Sequence, residues 1–245
     1  MTVFPYELGA RTSVQLGLIV LQADQTIEDE FRYLIPADMS LLVSRVPSGL
    51  DVTPETLTAM ETHLEGSAGM FPRGLGFDAV GYACTSGAAQ IGSDQVAARV
   101  KRGMQASNVT DPVAALLAAC RAAGVERLGL LSPYVEPVSA RLRDVLAKHG
   151  IETPVFATFQ EAEEAKVAAI DEASIRSAAL KLMADGGAQA LFLSCTNLRT
   201  LNVILELQEF LNIPVWSSNL VLAWDMQRLA GRSVCPQFPG GLLQS

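Results

Sequence analysis

The sequence predicts an α/β protein with parallel sheets flanked by helices, and three observations carry that prediction. Short apolar, β-rich runs alternate with longer segments of helical spacing along most of the chain. The helix-sized segments tend to open on capping residues and to close on glycine. An apolar strand running into a small residue, then Cys-Thr-polar, occurs twice, at Cys84 and at Cys195, about half the chain apart. Strands alternating with helices imply right-handed crossovers between parallel neighbours, and the repeated signature implies two similar halves.

The elements follow in order. Residues 16–21 (LGLIVL) read as a buried strand and 40–45 (SLLVSR) as a second. A helix over 54–65 is introduced by Thr53, a good N-cap residue. Residues 77–83 (FDAVGYA) form the third strand, and a helix over 94–102 follows with Ser93 placed to cap it. The order then begins again. Asp111-Pro112 opens a helix over 112–123 that Gly124 closes. Strands at 127–132, 153–158, 188–194 and 213–216 alternate with helices at 137–149, 173–185, 200–211 and 219–229.

With 245 residues, 49% of them hydrophobic, the chain has material for a substantial core. A net charge of −8 argues against nucleic acid as a partner, since phosphates need a basic face. Apolar runs are strand-sized, which argues against a membrane span, and the start MTVFPYELG lacks a secretory pattern, so a cytoplasmic location with reduced cysteines is expected. The four cysteines show no metal-type spacing, so no metal is expected. His63 reads as an exposed helical residue, and His149 as a ring meeting the last carbonyls of a helix before Gly150. Cys120, on an apolar helix face, and Cys235 read as structural.

Cys84 and Cys195 read differently. Ligands of open parallel sheets bind beyond the carboxyl ends of the strands, and a residue there also meets the start of the next helix. That environment is expected to lower a thiol pKa and supply thiolate. Thr85, Ser86, Thr196 and Asn197 add donors for a carboxylate or a developing enolate. Two thiols about one carbon allow a proton to be removed from one face and returned to the other, without a cofactor.

At ACTSG with Cys84, SCTNL with Cys195, the SPY turn with Tyr134, ADQTIEDEF with Asp24, and EAKVAAID, the chain resembles the aspartate/glutamate racemase superfamily. The resemblance is nearest to the branch of maleate cis-trans isomerases, arylmalonate decarboxylases and ectoine-utilisation proteins. It implies two pseudo-symmetric α/β lobes with the site between them. Residues 1–108 with 219–245 would form one lobe and 109–218 the other. It also implies that Cys84 adds to a double bond, with Cys195 as acid/base partner. A racemase would use the pair for proton exchange. The decarboxylases keep only the second cysteine, so Cys84 counts against that chemistry. Tyr134 and, near a family asparagine, Gln160 would contact substrate. Maleate isomerases carry asparagine where this chain has Asp24, which weakens maleate and suits a substrate with an amino or amide group. Asp24 also reads as the N-cap of the helix starting near Thr26.

The expectation is therefore a cofactor-independent isomerase or racemase acting on a small carboxylic acid. A decarboxylase-like lyase, an ectoine-degradation racemase-like protein and a two-lobed small-molecule binding protein are the alternatives. Apolar helix faces suggest a homo-oligomer.

Overall fold

A computed structural model describes residues 1–9 and 13–232 of the chain. Two four-stranded parallel sheets organise it. The first contains β1 (Gln15–Leu21), β2 (Ser40–Val46), β3 (Phe77–Ala83) and β4 (Ala106–Thr110) in the order β2-β1-β3-β4. The second contains β5 (Arg127–Tyr134), β6 (Glu152–Glu161), β7 (Ala190–Leu193) and β8 (Val215–Ser217) in the order β6-β5-β7-β8. Each sheet thus repeats one winding: out to one side of its first strand, then back across to the other. The reversal falls between β1 and β3 in one sheet and between β5 and β7 in the other. Such a switch point leaves a crevice at the strand ends where ligands bind. β1 is buried along its whole length, as a strand covered on both faces must be, and its run of Leu, Ile and Val fits that environment.

The helices are α1 (Ile27–Leu34), α2 (Pro54–Ala59), α3 (Glu61–Ala68), α4 (Thr85–Ile91), α5 (Ser93–Gly103), α6 (Pro112–Ala123), α7 (Glu136–Lys148), α8 (Glu164–Ala169), α9 (Glu172–Leu182), α10 (Leu201–Leu211) and α11 (Ser218–Leu229). α6 follows the sequence reading: Asp111 accepts the N–H groups of Val113 and Ala114 at 2.8 and 3.0 Å, and Gly124 closes it at φ 66°. α11 is buried from Ser218 to Gln227 and returns the chain to the first sheet, packing on β3, β4, α1 and α6. His149 meets the helix carbonyls as expected, its Nδ1 lying 2.9 Å from the Val145 carbonyl, with Gly150 at φ 80° beyond it. Among the described residues, no helix is long and apolar enough to cross a membrane.

Several local expectations are corrected. The helix expected over 54–65 is divided at Met60, where the Thr58 and Thr62 hydroxyls bond back to the carbonyls of Pro54 and Ala59, a pairing that bends helices. Ser93 does not cap α5: Gly92, at φ 96°, occupies the cap and Ser93 is the first helical residue. β6 is longer than expected, and α4, α8 and β4 are elements the sequence pattern did not predict. Cys235 and the remainder of residues 233–245, which were expected to join the first lobe, lie outside the described residues.

Candidate active site

The carboxyl ends of β1, β3, β5, β6 and β7 deliver residues to one buried cavity between the two sheets. Leu21, Asp24, Cys84, Thr85 and Ser86 line it from the first half. Tyr134, Glu164, Cys195, Thr196 and Asn197 line it from the second. Its volume is about 10 Å³, roughly the room one water molecule needs. Among the described residues lining it there is no lysine, arginine or histidine.

Asp24 divides its carboxylate between two tasks. Oδ1 accepts the N–H groups of Thr26 and Ile27 at 2.8 and 2.9 Å and so caps α1, whose own cap residue Thr26 makes no side-chain cap bond. Oδ2 is buried and has no partner at hydrogen-bond geometry among the described residues, while Asp24 as a whole lines the cavity. The capping role of this residue therefore uses one oxygen and leaves the other free of it.

Cys84 is the N-cap of α4, and its Sγ accepts the Gly87 N–H at 3.1 Å. Cys195 stands at φ 118°, a backbone conformation that side chains rarely adopt. Its N–H donates to Ser218 Oγ at 2.9 Å, and the Thr85 hydroxyl donates to that same oxygen at 2.7 Å. Ser218 thus ties the two cysteine turns together. The Asn197 N–H approaches Cys195 Sγ at 3.3 Å, and Tyr134 Oη lies 3.0 Å from it.

Tyr134 Oη also donates to Glu164 Oε1 at 3.0 Å. A phenol has one proton, so when it points at Glu164 the Cys195 thiol is the donor to Oη. A chain of hydrogen bonds then runs from Cys195 through Tyr134 to Glu164. Asn197 fixes the far end: Nδ2 donates to Glu164 Oε2 at 2.9 Å, and Oδ1 accepts the Gln25 N–H at 2.9 Å. The Asn197 carbonyl takes the Thr26 hydroxyl at 3.0 Å. The Asn197 amide is therefore spent on holding the site together. The Thr196 hydroxyl donates to the Ala83 carbonyl at 3.3 Å. Behind these turns, Glu30 Oε1 accepts the N–H groups of Thr200 and Leu201 at 2.8 and 2.9 Å. Glu30 Oε2 takes Asn219 Nδ2 at 2.8 Å, and that same nitrogen reaches the Thr196 carbonyl at 2.9 Å.

Gln160 is the one predicted site residue that does not join the cavity. It is exposed near the end of β6 at φ 58°, its N–H turned to Thr158 Oγ1 at 2.9 Å. Glu164, four residues on, lines the wall instead. Sequence reasoning missed it because it ends the acidic run EAEE, which reads as a solvated face; its signal was its place at the head of EAKVAAID. Glu30 and Ser218 were also missed: Glu30 lies in a segment read only as helix, and Ser218 falls between the strand expected at 213–216 and the helix expected at 219–229.

The expectation of a lowered thiol pKa is corrected. Burial pushes the Cys84 thiol up to about 12, aided by the Glu164 charge and opposed by the Gly87 N–H and the Tyr82 hydroxyl. Burial and then the Glu164 charge push Cys195 well up too, against the Tyr134 hydroxyl and the Asn197 N–H. The helix start is real, but loss of water outweighs it. Asp24 and Glu164 are likewise raised, chiefly by burial. A thiol held above the working pH gains thiolate about tenfold per pH unit. Iodoacetamide labelling of Cys84 in the ligand-free protein is therefore expected to accelerate with unit slope from neutral to alkaline pH. A plateau near the ordinary thiol value of about 8.5 would contradict this.

The arylmalonate decarboxylase family model matches residues 74–243. An arylmalonate decarboxylase from Bordetella bronchiseptica is 30% identical over 210 residues, covering 81% of this chain and 86% of that protein. The crystal structure of the maleate isomerase from Pseudomonas putida superposes with a TM-score of 0.84 at 22% identity, covering 95% of this chain and 98% of that one. A Nocardia farcinica maleate cis-trans isomerase mutant, crystallised with a covalently bound succinylcysteine intermediate, superposes with a TM-score of 0.78 at 22% identity, covering 91% and 94%. At these identities the two isomerase structures show a shared fold.

Proposed function

The chain belongs to the arylmalonate decarboxylase family, and on that premise we propose that it is a two-cysteine isomerase or racemase of a small carboxylic acid. The observation that carries this reading is that Cys84 and Cys195, each from the switch point of its own sheet, line one closed cavity. In an isomerisation, the Cys84 thiolate adds to one carbon of a C=C bond while Cys195 protonates the other. The resulting single bond rotates, Cys195 takes the proton back, and the C–S bond breaks. The succinylcysteine in the Nocardia farcinica enzyme supports thiol addition in a relative of the same fold. In a racemisation, one thiolate takes the α-proton and the other thiol supplies one to the opposite face. The chain from Cys195 through Tyr134 to Glu164 suits the acid/base role.

The second reading is decarboxylation, favoured by the family model and by the Bordetella bronchiseptica relative. Incubation in D₂O with maleate, the aspartate enantiomers and phenylmalonate separates the two. Isomerisation or racemisation gives the trans acid or α-deuteration with no loss of carbon. Release of CO₂ from phenylmalonate, with the other acids untouched, would replace the first reading by the second.

The lining residues set the charge of the substrate. Asp24 and Glu164 face a cavity without a basic side chain among its described lining, so a plain dianion meets carboxyl groups and no cation. A substrate bearing an ammonium or amide group beside its carboxylate relieves that conflict. Asp24→Asn removes the charge and gives the free position a donor, so KM for maleate is expected to fall by about tenfold or more. Kinetics on maleate no better than the parent's would reject this account of Asp24.

A further inference from the structure

Tyr82 stands two residues before Cys84 on β3, fully buried and outside the lining of the cavity. Among the described residues its hydroxyl donates to a weak acceptor, Met60 Sδ at 3.8 Å, and lies close enough to Cys84 Sγ to act on it. Buried phenols ordinarily find a strong one. The reason for this spare donor is visible at Gly87. A Cβ added there would collide with Tyr82 Oη and come within 2.9 Å of Cys84 Sγ. The hydroxyl and the sulfur therefore crowd one small space that only a residue without a side chain leaves open. The Gly87 N–H already donates to Cys84 Sγ at 3.1 Å.

The two cysteines are furnished differently as a result. Cys195 is joined through Tyr134 to the acceptor Glu164, an arrangement that suits a thiol with a proton to give. Cys84 has an N–H and an O–H beside it, an arrangement that suits a sulfur without one. The charged groups facing it, Glu164 and Asp24 across the cavity and Asp111 behind Tyr82, are all acidic, so the donors are what favours its ionised form.

We propose that Tyr82 is a positioning residue for the Cys84 thiolate: its hydroxyl turns from Met60 Sδ to Cys84 Sγ when the sulfur loses its proton, completing a two-donor cradle with the Gly87 N–H. Tyr82 keeps its own proton throughout. The cradle rests on the two-cysteine reading, but labelling measures the sulfur itself and needs no substrate, so failure of the cradle and failure of that reading are distinguishable.

The test is competitive labelling of the full chain and of Tyr82→Phe with iodoacetamide at about pH 8, followed by mass spectrometry of the peptides holding Cys84 and Cys195. Phe keeps the ring and removes only the donor. The Cys84 rate is expected to fall about tenfold, while the Cys195 rate, which reports access to the cavity, stays within about twofold. Equal loss at both sulfurs would mean altered opening and overturn the proposal; so would no loss at either. Should Tyr82→Phe not fold, Gly87→Ala fills the shared space and is expected to slow Cys84 selectively. An unchanged ratio between the two sulfurs would overturn the proposal there as well.

Discussion

Cys84→Ser and Cys195→Ser are each expected to lower turnover by about 10²–10⁴-fold, the range for removing a positioned acid, base or nucleophile. Serine conserves shape but holds its proton far more tightly than a thiol. Both substitutions are expected to leave the fold intact. A serine hydroxyl at position 84 still accepts the Gly87 N–H as an N-cap, and one at position 195 still reaches Tyr134. Steady-state rates on whichever acid the wild type converts give the result. Loss in both variants fits chemistry shared between two sulfurs. Loss in Cys195→Ser alone would assign the protein to one-cysteine decarboxylation. Full activity in both would remove the thiols from the reaction.

Glu30→Ala is expected to cost about 3–5 kcal/mol of unfolding free energy, measured by urea denaturation. Glu30 accepts three N–H groups, from Thr200, Leu201 and Asn219, all far from it in sequence. Alanine strands those donors in the interior, at about 1–3 kcal/mol each. The total is a large part of a typical stability of about 5–15 kcal/mol. Glu30→Gln keeps an acceptor for the two backbone groups and is expected to lose about 1–2 kcal/mol. A Glu30→Ala protein within about 1 kcal/mol of the parent would mean these bonds contribute little to holding α1 against α10 and α11.

The fold was legible where local chemistry repeats. Asp111-Pro112 and Gly124 bound α6 at the residues read from the sequence, and the run 77–83 is β3 to the residue. What escaped was structure with weak local preference. α4 consists of Thr, Ser, Gly, Ala, Gln and Ile in seven residues, and its helix depends on packing rather than propensity. β4 is the polar edge strand ASNVT, without an apolar alternation to mark it. The family was legible from the flanks of Cys84 and Cys195, and the family model and the Bordetella bronchiseptica relative agree with it. The cavity lining was legible where a residue ends a strand or comes within three residues after it, as Asp24, Cys84, Tyr134 and Cys195 do. Gln160 and Glu164 are separated by a stretch whose path no sequence pattern fixes, so the pattern does not show that Glu164 rather than Gln160 lines the cavity.

On the two-cysteine reading proposed above, the twisted backbone at Cys195 sets activity against durability. At φ 118° a glycine would sit at ease, whereas a residue with a side chain pays about 1–3 kcal/mol for such a conformation. The sulfur is thus held on a backbone conformation that glycine adopts more readily. Selection or engineering that rewards heat resistance alone will drift toward glycine at this position and discard the thiol.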